Sequence, residues 1–263
     1  MLDTSQARAS WGPVGRACML ALAACGNGGG DAPADAAPSL DSGPVCTHLQ
    51  NLKTFHGKAL TFGTTNGQAF PGTICIDGRA DIACARASTE GDFAMCIPSE
   101  GDFAMRLAAT GFETTVQLLG PQATSRAAPF TVGDDAYVSA RFWLPLGGAY
   151  PPTTAGHLVV LVTDAADAPL ANAEIAILPS ANLDIVYAGD GGLPDTSRTL
   201  TSTAGSALIA NVPPGDYDLQ VTSQGNPSCA YATGGHASPD NSQDARIRVV
   251  AGATSIATLR CRP

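Results

Sequence analysis

Residues 90–105, EGDFAMCIPSEGDFAM, contain the hexapeptide EGDFAM twice. Apolar residues occupy alternate positions in and just beyond each copy: Phe93, Met95 and Ile97, then Phe103, Met105 and Leu107. Alternation with a period of two is typical of a half-buried β-strand, and the intervening PSEGD has the composition of a turn. The stretch therefore predicts two strands that meet at a corner, and the repeat requires no ligand to explain it.

The corner recurs in the second half of the chain as part of a longer unit. Residues 205–221, GSALIANVPPGDYDLQV, align with residues 91–107, GDFAMCIPSEGDFAMRL. Upstream, residues 157–177 and 59–76 both follow the order strand, polar turn, proline, strand. Alternation predicts the core-facing positions of the second copy: Leu208, Ala210 and Val212. The chain is thus predicted to contain two copies of one β unit.

The remaining strands are predicted at four places: 114–119, 136–144, 245–250 and 255–259. No amphipathic helix is predicted outside the N-terminal segment. Trp143 is expected at the edge of the first core, with packing against the second domain as the alternative. Short strands between Gly- and Pro-rich turns favour antiparallel β-sandwiches. The predicted fold class is all-β, with two tandem sandwiches over 46–148 and 155–263.

The second unit resembles a known family. A strand, a polar turn, PLANAEI and VPPGDYDLQV follow one another in this unit. This order resembles that of carboxypeptidase regulatory-like domains. The resemblance extends over 157–223 and, more weakly, over 57–119. It implies small transthyretin-like, or prealbumin-like, sandwiches with an immunoglobulin-like layout. It also implies modules that accompany other proteins and are usually not catalytic.

The N-terminus, MLDTSQARASWGPVGRACMLALAAC, has the features of a secretory signal over residues 1–24. Its end, LAAC, resembles the lipobox of bacterial lipoproteins. The resemblance implies cleavage before Cys25 and lipidation of that residue, which would anchor the chain in a membrane. Gly26, where a retention signal has aspartate, favours the outer membrane. Residues 25–45, rich in Gly, Ala, Asp and Pro, are predicted to be a disordered tether.

Six of the eight cysteines remain when the signal and Cys25 are set aside. An even number in an exported chain favours disulfides over metal sites. Fifteen pairings are possible. The only two cysteines of the C-terminal half are assigned to each other, and two that flank a turn form the second pair. The preferred set is Cys229–Cys261, Cys75–Cys84 and Cys46–Cys96.

Composition argues against several functions. Charged residues make up 14% of the chain, the net charge is −9 and the pI is near 4.7, so no nucleic-acid partner is expected. The four histidines lack zinc-peptidase spacing, and no GxSxG, SxxK, P-loop or GxGxxG motif occurs. The sequence therefore predicts no enzyme, no cofactor and no metal.

Two polar loops, 182–195 and 224–244, are candidate binding sites because loops on a rigid sandwich often carry recognition. The candidate residues are Asp184, Tyr187, Asp190 and Asp195 in the first loop and Tyr231 and His236 in the second. Carboxylates of this kind suit calcium, although their spacing is not that of an EF-hand.

The favoured hypothesis is a non-enzymatic lipoprotein of the cell envelope. Its β-sandwiches would act in adhesion, in scaffolding, or in binding a partner protein or glycan. The alternative is a metal-binding or enzymatic envelope module that uses residues 182–195, and a structural spacer is a third hypothesis. The oligomeric state is left open.

Overall fold

The structure, a computed structural model, describes residues 46, 51–62, 69–120, 130–179, 183–223, 225, 228–240 and 243–262. The predicted signal, Cys25 and the tether lie outside these residues. Most regular structure in the described part is β, which confirms the predicted all-β class. Leu40–Pro263 belongs to one compact unit. Within the described ranges, no helix is both long and apolar enough to cross a membrane.

The first lobe, residues 51–133, is a sandwich of two sheets. Its strands are β1 (Leu52–Phe62), β2 (Thr73–Ile76), β3 (Ala85–Arg86), β4 (Asp92–Pro98), β5 (Phe103–Ala108), β6 (Thr115–Leu119) and β7 (Phe130–Gly133). One sheet has the order β4-β1-β7, and β3-β2-β5-β6 form the other. The two copies of EGDFAM therefore lie in opposite sheets. The predicted corner is the point where the chain crosses between them.

A helical connector, residues 135–146, follows the first lobe. It consists of an α-helical turn (Asp135–Val138), a π-helical segment (Ser139–Trp143) and a 3₁₀ turn (Leu144–Leu146). The strand predicted over 136–144 is therefore wrong. Apolar residues at 138, 142, 143 and 146 recur at helical spacing, so that one face of the connector is apolar. Gly147, with φ +68°, ends the segment.

The second lobe, residues 156–262, is also built from two sheets. Its strands are β8 (Gly156–Thr163), β9 (Ala173–Leu178), β10 (Val186–Ala188), β11 (Pro194–Asp195), β12 (Ser206–Val212), β13 (Gly215–Ser223), β14 (Ser228–Thr233), β15 (His236–Ala237), β16 (Ala245–Val249) and β17 (Thr254–Arg262). The smaller sheet has the order β15-β16-β13-β9. The larger contains β11, β10, β12, β8 and β17, and β14 pairs with β17.

The two lobes share one pairing scheme. β1 pairs with β4 and β7, as β8 pairs with β12 and β17. β5 lies between β2 and β6, as β13 lies between β9 and β16. The predicted sandwiches are antiparallel, and most pairings are; in both lobes, however, the closing strand runs parallel to the first strand.

The lobes are joined by backbone pairing. The start of β17 also pairs in parallel with β6, Thr254 opposite Thr115 and Ser255 opposite Val116. The larger sheets of the two lobes therefore form one continuous sheet, β11-β10-β12-β8-β17-β6-β5-β2-β3. The domain boundaries at 46–148 and 155–263 stay a prediction.

Each lobe has its own hydrophobic core. The first contains phenylalanines and methionines from both copies of EGDFAM. The second is mainly aliphatic and is formed by residues of β8, β9, β12, β13, β16 and β17. A third, small cluster lies between the connector and the outer face of the second lobe. It includes Trp143, which is buried against the second lobe rather than the expected edge of the first core.

A β-bulge in β12 changes which residues face the second core. The pairing of β12 with β8 shifts between Ile209 and Val212, and Asn211 has φ +56°. An extra residue in one strand reverses the alternation of side chains beyond it. Ile209 and Val212 therefore face the core, whereas Leu208 and Ala210 pack in the cluster under the connector. The prediction that Leu208 and Ala210 point into the second core is wrong for this reason.

Candidate functional site

A cavity of about 170 Å³ lies between the helical connector and the outer face of the second lobe's larger sheet. Its apolar wall includes Phe142, Trp143, Val159, Leu208 and Ile256. Its polar lining includes Glu113, Ser206 and Thr254. The cavity is therefore a largely apolar space with a single carboxyl group.

Three parallel strands begin beside the cavity. Thr254, the first residue of β17, lies opposite Thr115 of β6 and His157 of β8. Glu113 precedes β6 by two residues, and its backbone N–H donates to Gly133 O at 2.9 Å. This register brings the Glu113 side chain of the first lobe within reach of the second lobe.

Glu113 is buried, with 3% of its surface exposed. Its Oε1 accepts hydrogen bonds from Trp143 Nε1–H at 2.7 Å and from the Thr254 hydroxyl. Both bonds fall on the same oxygen, and no hydrogen bond from a described residue reaches Oε2. The Glu113 carboxyl thus links the connector to both lobes through Oε1.

Burial raises the pKa of Glu113 to about 7, because a carboxylate loses its hydration in an apolar site. The hydrogen bonds from Thr254 and Trp143 act in the opposite direction, since they stabilise the ionised form. The nearby carboxylate of Asp135 adds to the increase. Glu113 therefore gains and loses its proton around neutral pH, where ordinary glutamates are fully ionised.

A neutral histidine supports the tryptophan. The rings of Trp143 and His157 are stacked with centroids 4.3 Å apart. His157 Nε2 lies 3.0 Å from Ala149 O, and His157 Nδ1 lies 3.2 Å from the backbone nitrogen of Asn211. A carbonyl only accepts and an N–H only donates, so Nε2 carries the proton and Nδ1 accepts. Burial lowers the pKa of His157, which keeps the ring neutral.

The acidic residues of the predicted loop 182–195 are held by an arginine. Asp190 lies 3.3 Å from Arg198 Nη2, and Asp195 lies 3.3 Å from Arg198 Nε. Asp190 also accepts from Thr203, and Asp195 accepts from Ser197. Hydrogen bonds, led by those from the Thr203 and Ser197 side chains, lower the pKa of the two carboxyls.

The other two candidates of this loop have separate surroundings. Tyr187 is buried, and its hydroxyl accepts a 2.9 Å hydrogen bond from Ile175 N–H in the second core. Asp184 is exposed and borders a shallow cavity of about 290 Å³ beside Asn211 and Pro213. Among the residues with described positions, no group of three or more His, Cys, Asp or Glu side chains is arranged to hold a metal ion. Of the described residues of this loop, 183–195, only Gly192 lines the cavity of Glu113.

Tyr231 and His236 do not form a common site either. Tyr231 packs against the second core. His236 Nε2 lies 3.0 Å from Asp102 Oδ2 in the first lobe, and Nδ1 lies 2.8 Å from Ala237 O. A Cβ atom added to Gly120 would lie 2.8 Å from His236 Cβ, so that a glycine is needed there. His236 is therefore a contact between the lobes.

Comparisons with known proteins identify no family. No protein-family model matches the chain, and no curated protein matches it. Similar solved structures include the Bacillus anthracis TIE protein, with 12% identity and a TM-score of 0.25 over 81% of this chain and 34% of that one. GBS52, the minor pilin of Streptococcus agalactiae, has 10% identity and a TM-score of 0.26 over 79% of this chain and 95% of that one.

A third similar structure is a DUF3823 family protein from Bacteroides ovatus, with 12% identity and a TM-score of 0.24 over 78% of this chain and 97% of that one. This chain spans about a third of the TIE protein. TM-scores of 0.24–0.26 are too low to indicate a shared function.

The six cysteines of the described residues form three disulfides, in the same pairs as the preferred set. Cys46–Cys96 joins the start of the described chain to β4, and Cys75–Cys84 joins β2 to the segment before β3. Cys229–Cys261 links the paired strands β14 and β17. The disulfides therefore reinforce both lobes.

Sequence reasoning did not find Glu113, His157 or Thr254. One signal was present: Glu113 is a lone acidic residue in the segment GFETTVQLL, directly before a fully buried strand. Charged residues are seldom fully buried without a role. The partners of Glu113 lie 30 and 141 residues away along the chain, so no local pattern predicts the site.

Proposed function

We propose that this exported protein is a non-enzymatic lipoprotein of the cell envelope, in which two carboxypeptidase regulatory-like sandwiches act as a rigid adhesion or scaffolding body. The observation that carries the proposal is the set of three disulfides. Disulfides form and persist in oxidising compartments and are rare in the cytosol. Lipidation of Cys25, after the LAAC sequence, would attach the body to the membrane, and the residue that follows favours the outer membrane.

The continuous sheet supports a mechanical role. β17 pairs with β8 over seven positions and with β6 over two, so that backbone hydrogen bonds cross between the lobes. The Cys46–Cys96 disulfide lies where the proposed tether enters the body. A pull on the anchor would therefore reach β4 through a covalent bond.

The shared pairing scheme of the lobes supports the proposed family relationship, since both halves repeat one strand order. The ion pairs of Asp190 and Asp195 with Arg198 argue against the alternative of a metal module in residues 182–195. On this proposal, Asp190→Asn and Asp195→Asn leave the calcium content of the purified protein unchanged. Calcium bound by the unaltered chain and lost in both variants would support the alternative.

Intact-mass measurement on protein from native membranes tests the anchor and the compartment. We expect a chain that begins at acylated Cys25 and gains two hydrogens for each of three disulfides on reduction. Cys25→Ser should remove the lipid and release the protein from the membrane fraction. Cys18→Ser is the matched control, because that cysteine would leave with the signal. An unlipidated chain with free thiols would overturn the proposal.

Cosedimentation of the membrane-extracted protein with isolated cell-wall polymer separates two forms of the proposal. Retention with the polymer supports glycan binding. A protein that stays in the supernatant supports scaffolding or binding of a protein partner.

A further inference from the structure

The cavity beneath the connector contains an acidic group without a counter-charge. Glu113 is almost fully buried, and its Oε1 already accepts two hydrogen bonds. Among the described residues that line the cavity, none carries a positive charge. A buried carboxylate is ordinarily paired with a cation or fully hydrogen-bonded. Among the described residues, no group donates a hydrogen bond to Oε2 of Glu113, which leaves this oxygen available to a ligand in the cavity.

The connector adds negative charge next to this carboxyl group. The carboxylate of Asp135 acts on Glu113 directly, and the carboxylates of Asp134 and Asp135 both act on the nearby Tyr150. The Tyr150 hydroxyl donates to Asp135, and burial raises its pKa above the usual range, so the phenol stays neutral. Arg141 of the connector is exposed and does not line the cavity.

Among their described side chains, the strands that pack against Glu113 supply no compensating charge to the cavity. Burial lowers the pKa of His157 of β8 and keeps its ring neutral. β12 and β17 contribute hydroxyl groups, those of Ser206 and Thr254. The loop before β11 contributes Gly192, and its Asp190 is paired with Arg198. The electrostatic environment of the cavity thus favours a cation.

Size and wall chemistry limit the ligand further. An apolar cavity of about 150 Å³ is large enough to bind benzene, and this one measures about 170 Å³. Its walls are the aliphatic and aromatic side chains of Phe142, Trp143, Val159, Leu208 and Ile256. A single ring or a short alkyl chain fits this space, and a drug-sized molecule does not.

We propose that this cavity binds a small primary amine with an apolar body, of the arylalkylamine or short alkylamine class. The ammonium group would donate to Oε2 of Glu113, and the apolar body would occupy the space between the connector and β8. The proposal goes beyond the scaffolding role and does not depend on the lipid anchor. It makes the cavity a ligand site between the two lobes.

Titration calorimetry with benzylamine, benzyl alcohol and toluene tests the proposal on the full chain. These probes share one ring and differ in charge and hydrogen bonding. At pH 8 we expect benzylamine to bind at least about tenfold more tightly than the other two, because only it pairs with the carboxylate. Affinity for benzylamine should fall by about tenfold between pH 8 and pH 6, as the fraction of ionised Glu113 falls.

Three variants make the test specific. Glu113→Gln keeps an oxygen acceptor for Trp143 and Thr254 but removes the charge, and should abolish the preference for benzylamine. Val159→Phe fills the cavity and should abolish binding of all three probes. Glu174→Gln makes the same change at an exposed position on β9 and should have no effect.

Equal affinity for benzylamine and benzyl alcohol would overturn the proposal, as would benzylamine binding that is unchanged in Glu113→Gln. Absence of benzylamine binding to the unaltered chain at pH 8 would also overturn it. If Val159→Phe unfolds the chain, the comparison of Glu113→Gln with Glu174→Gln still decides the outcome. Failure of this test would leave the mass measurement on the lipid anchor unaffected.

Discussion

The two lobes have the same strand pairing, but the equivalent strands β4 and β12 differ: β12 contains the extra residue of a β-bulge and β4 does not. In the first lobe β4 alternates without interruption, and Phe93, Met95 and Ile97 all enter the core. In the second lobe the bulge in β12 turns Leu208 and Ala210 to the outer face. The bulge thus makes the outer face of the second lobe's larger sheet apolar at β12, and the connector covers this surface.

The comparison shows how a duplicated scaffold can acquire a site without losing its core. The bulge places Ala207 and Ile209 in the second core, and it gives Leu208 to the outer face, where this residue forms part of the cavity wall. Ile209 and Val212 still face inward, so the core of the second lobe remains closed. The first lobe keeps the regular pattern, and the cluster on its outer face is smaller: Ala104 and Val116 pack there against Ala253 of the second lobe.

The sharpest test of this difference is truncation of Phe93 and Leu208, which occupy equivalent positions in the sequence when Pro98 is matched with Pro213. Phe93→Ala should lower the free energy of unfolding by about 3–5 kcal/mol, because it opens a void in the first core. Leu208→Ala should lower it by about 2 kcal/mol, since Leu208 already borders a cavity. Urea denaturation followed by circular dichroism measures both values. A larger loss for Leu208→Ala would indicate that this residue belongs to the core after all.

The two disulfides of the first lobe close chain segments of very different length. Replacing both cysteines of Cys46–Cys96 by serine should destabilise the fold by about 4 kcal/mol, because that bond closes a separation of 50 residues. The same change at Cys75–Cys84, with a separation of 9, should cost about 2.5 kcal/mol. Urea midpoints of the two double variants give the comparison. A reversed order would show that native packing, and not the unfolded chain, dominates the effect.

Glu113 should make stability depend on pH in a definite direction. Its pKa is raised from 4.5 to about 7, so the folded state holds the proton more tightly than the unfolded state. The stabilisation is complete below pH 4.5 and is lost as pH rises through about 7. The total loss is up to about 3 kcal/mol. The free energy of unfolding, measured from pH 5 to pH 8, should therefore fall more in the unaltered chain than in Glu113→Gln.

The difference between the two proteins isolates this contribution. His157, whose pKa is lowered, acts in the opposite sense and destabilises the fold as pH falls below about 6.5. That effect is present in both proteins and cancels in the comparison. Parallel pH profiles for the unaltered chain and Glu113→Gln would show that Glu113 does not titrate near neutrality.

The predictable parts of this fold are those that local patterns determine. Period-two alternation predicted the corner strands β4 and β5, and the turn between them needed no tertiary information. The connector was missed because its apolar spacing was interpreted as a strand, although positions 138, 142 and 146 fit a helix. The site was missed because Glu113, Trp143 and Thr254 meet only through the pairing of β17 with β6.

The bulge itself had a weak local signal. Asn is one of the few residues that adopt positive φ readily, and Asn211 does so at φ +56°. Its side-chain amide also contacts the segment that follows the connector, where Oδ1 accepts a 3.3 Å hydrogen bond from Ala149 N–H. A single asparagine in a strand pattern is nevertheless compatible with regular pairing, so alternation was extended through it.

Substitution of Asn211 should have the smallest effect and test the bulge most directly. Asn211→Gly should change the free energy of unfolding by no more than about 0.5 kcal/mol, because glycine adopts positive φ without strain. Asn211→Val should cost about 1–2 kcal/mol, since a β-branched residue resists this conformation. Urea denaturation of both variants measures the difference. If Asn211→Val is as stable as Asn211→Gly, β12 has regained regular pairing, and Leu208 should then pack in the second core instead of lining the cavity.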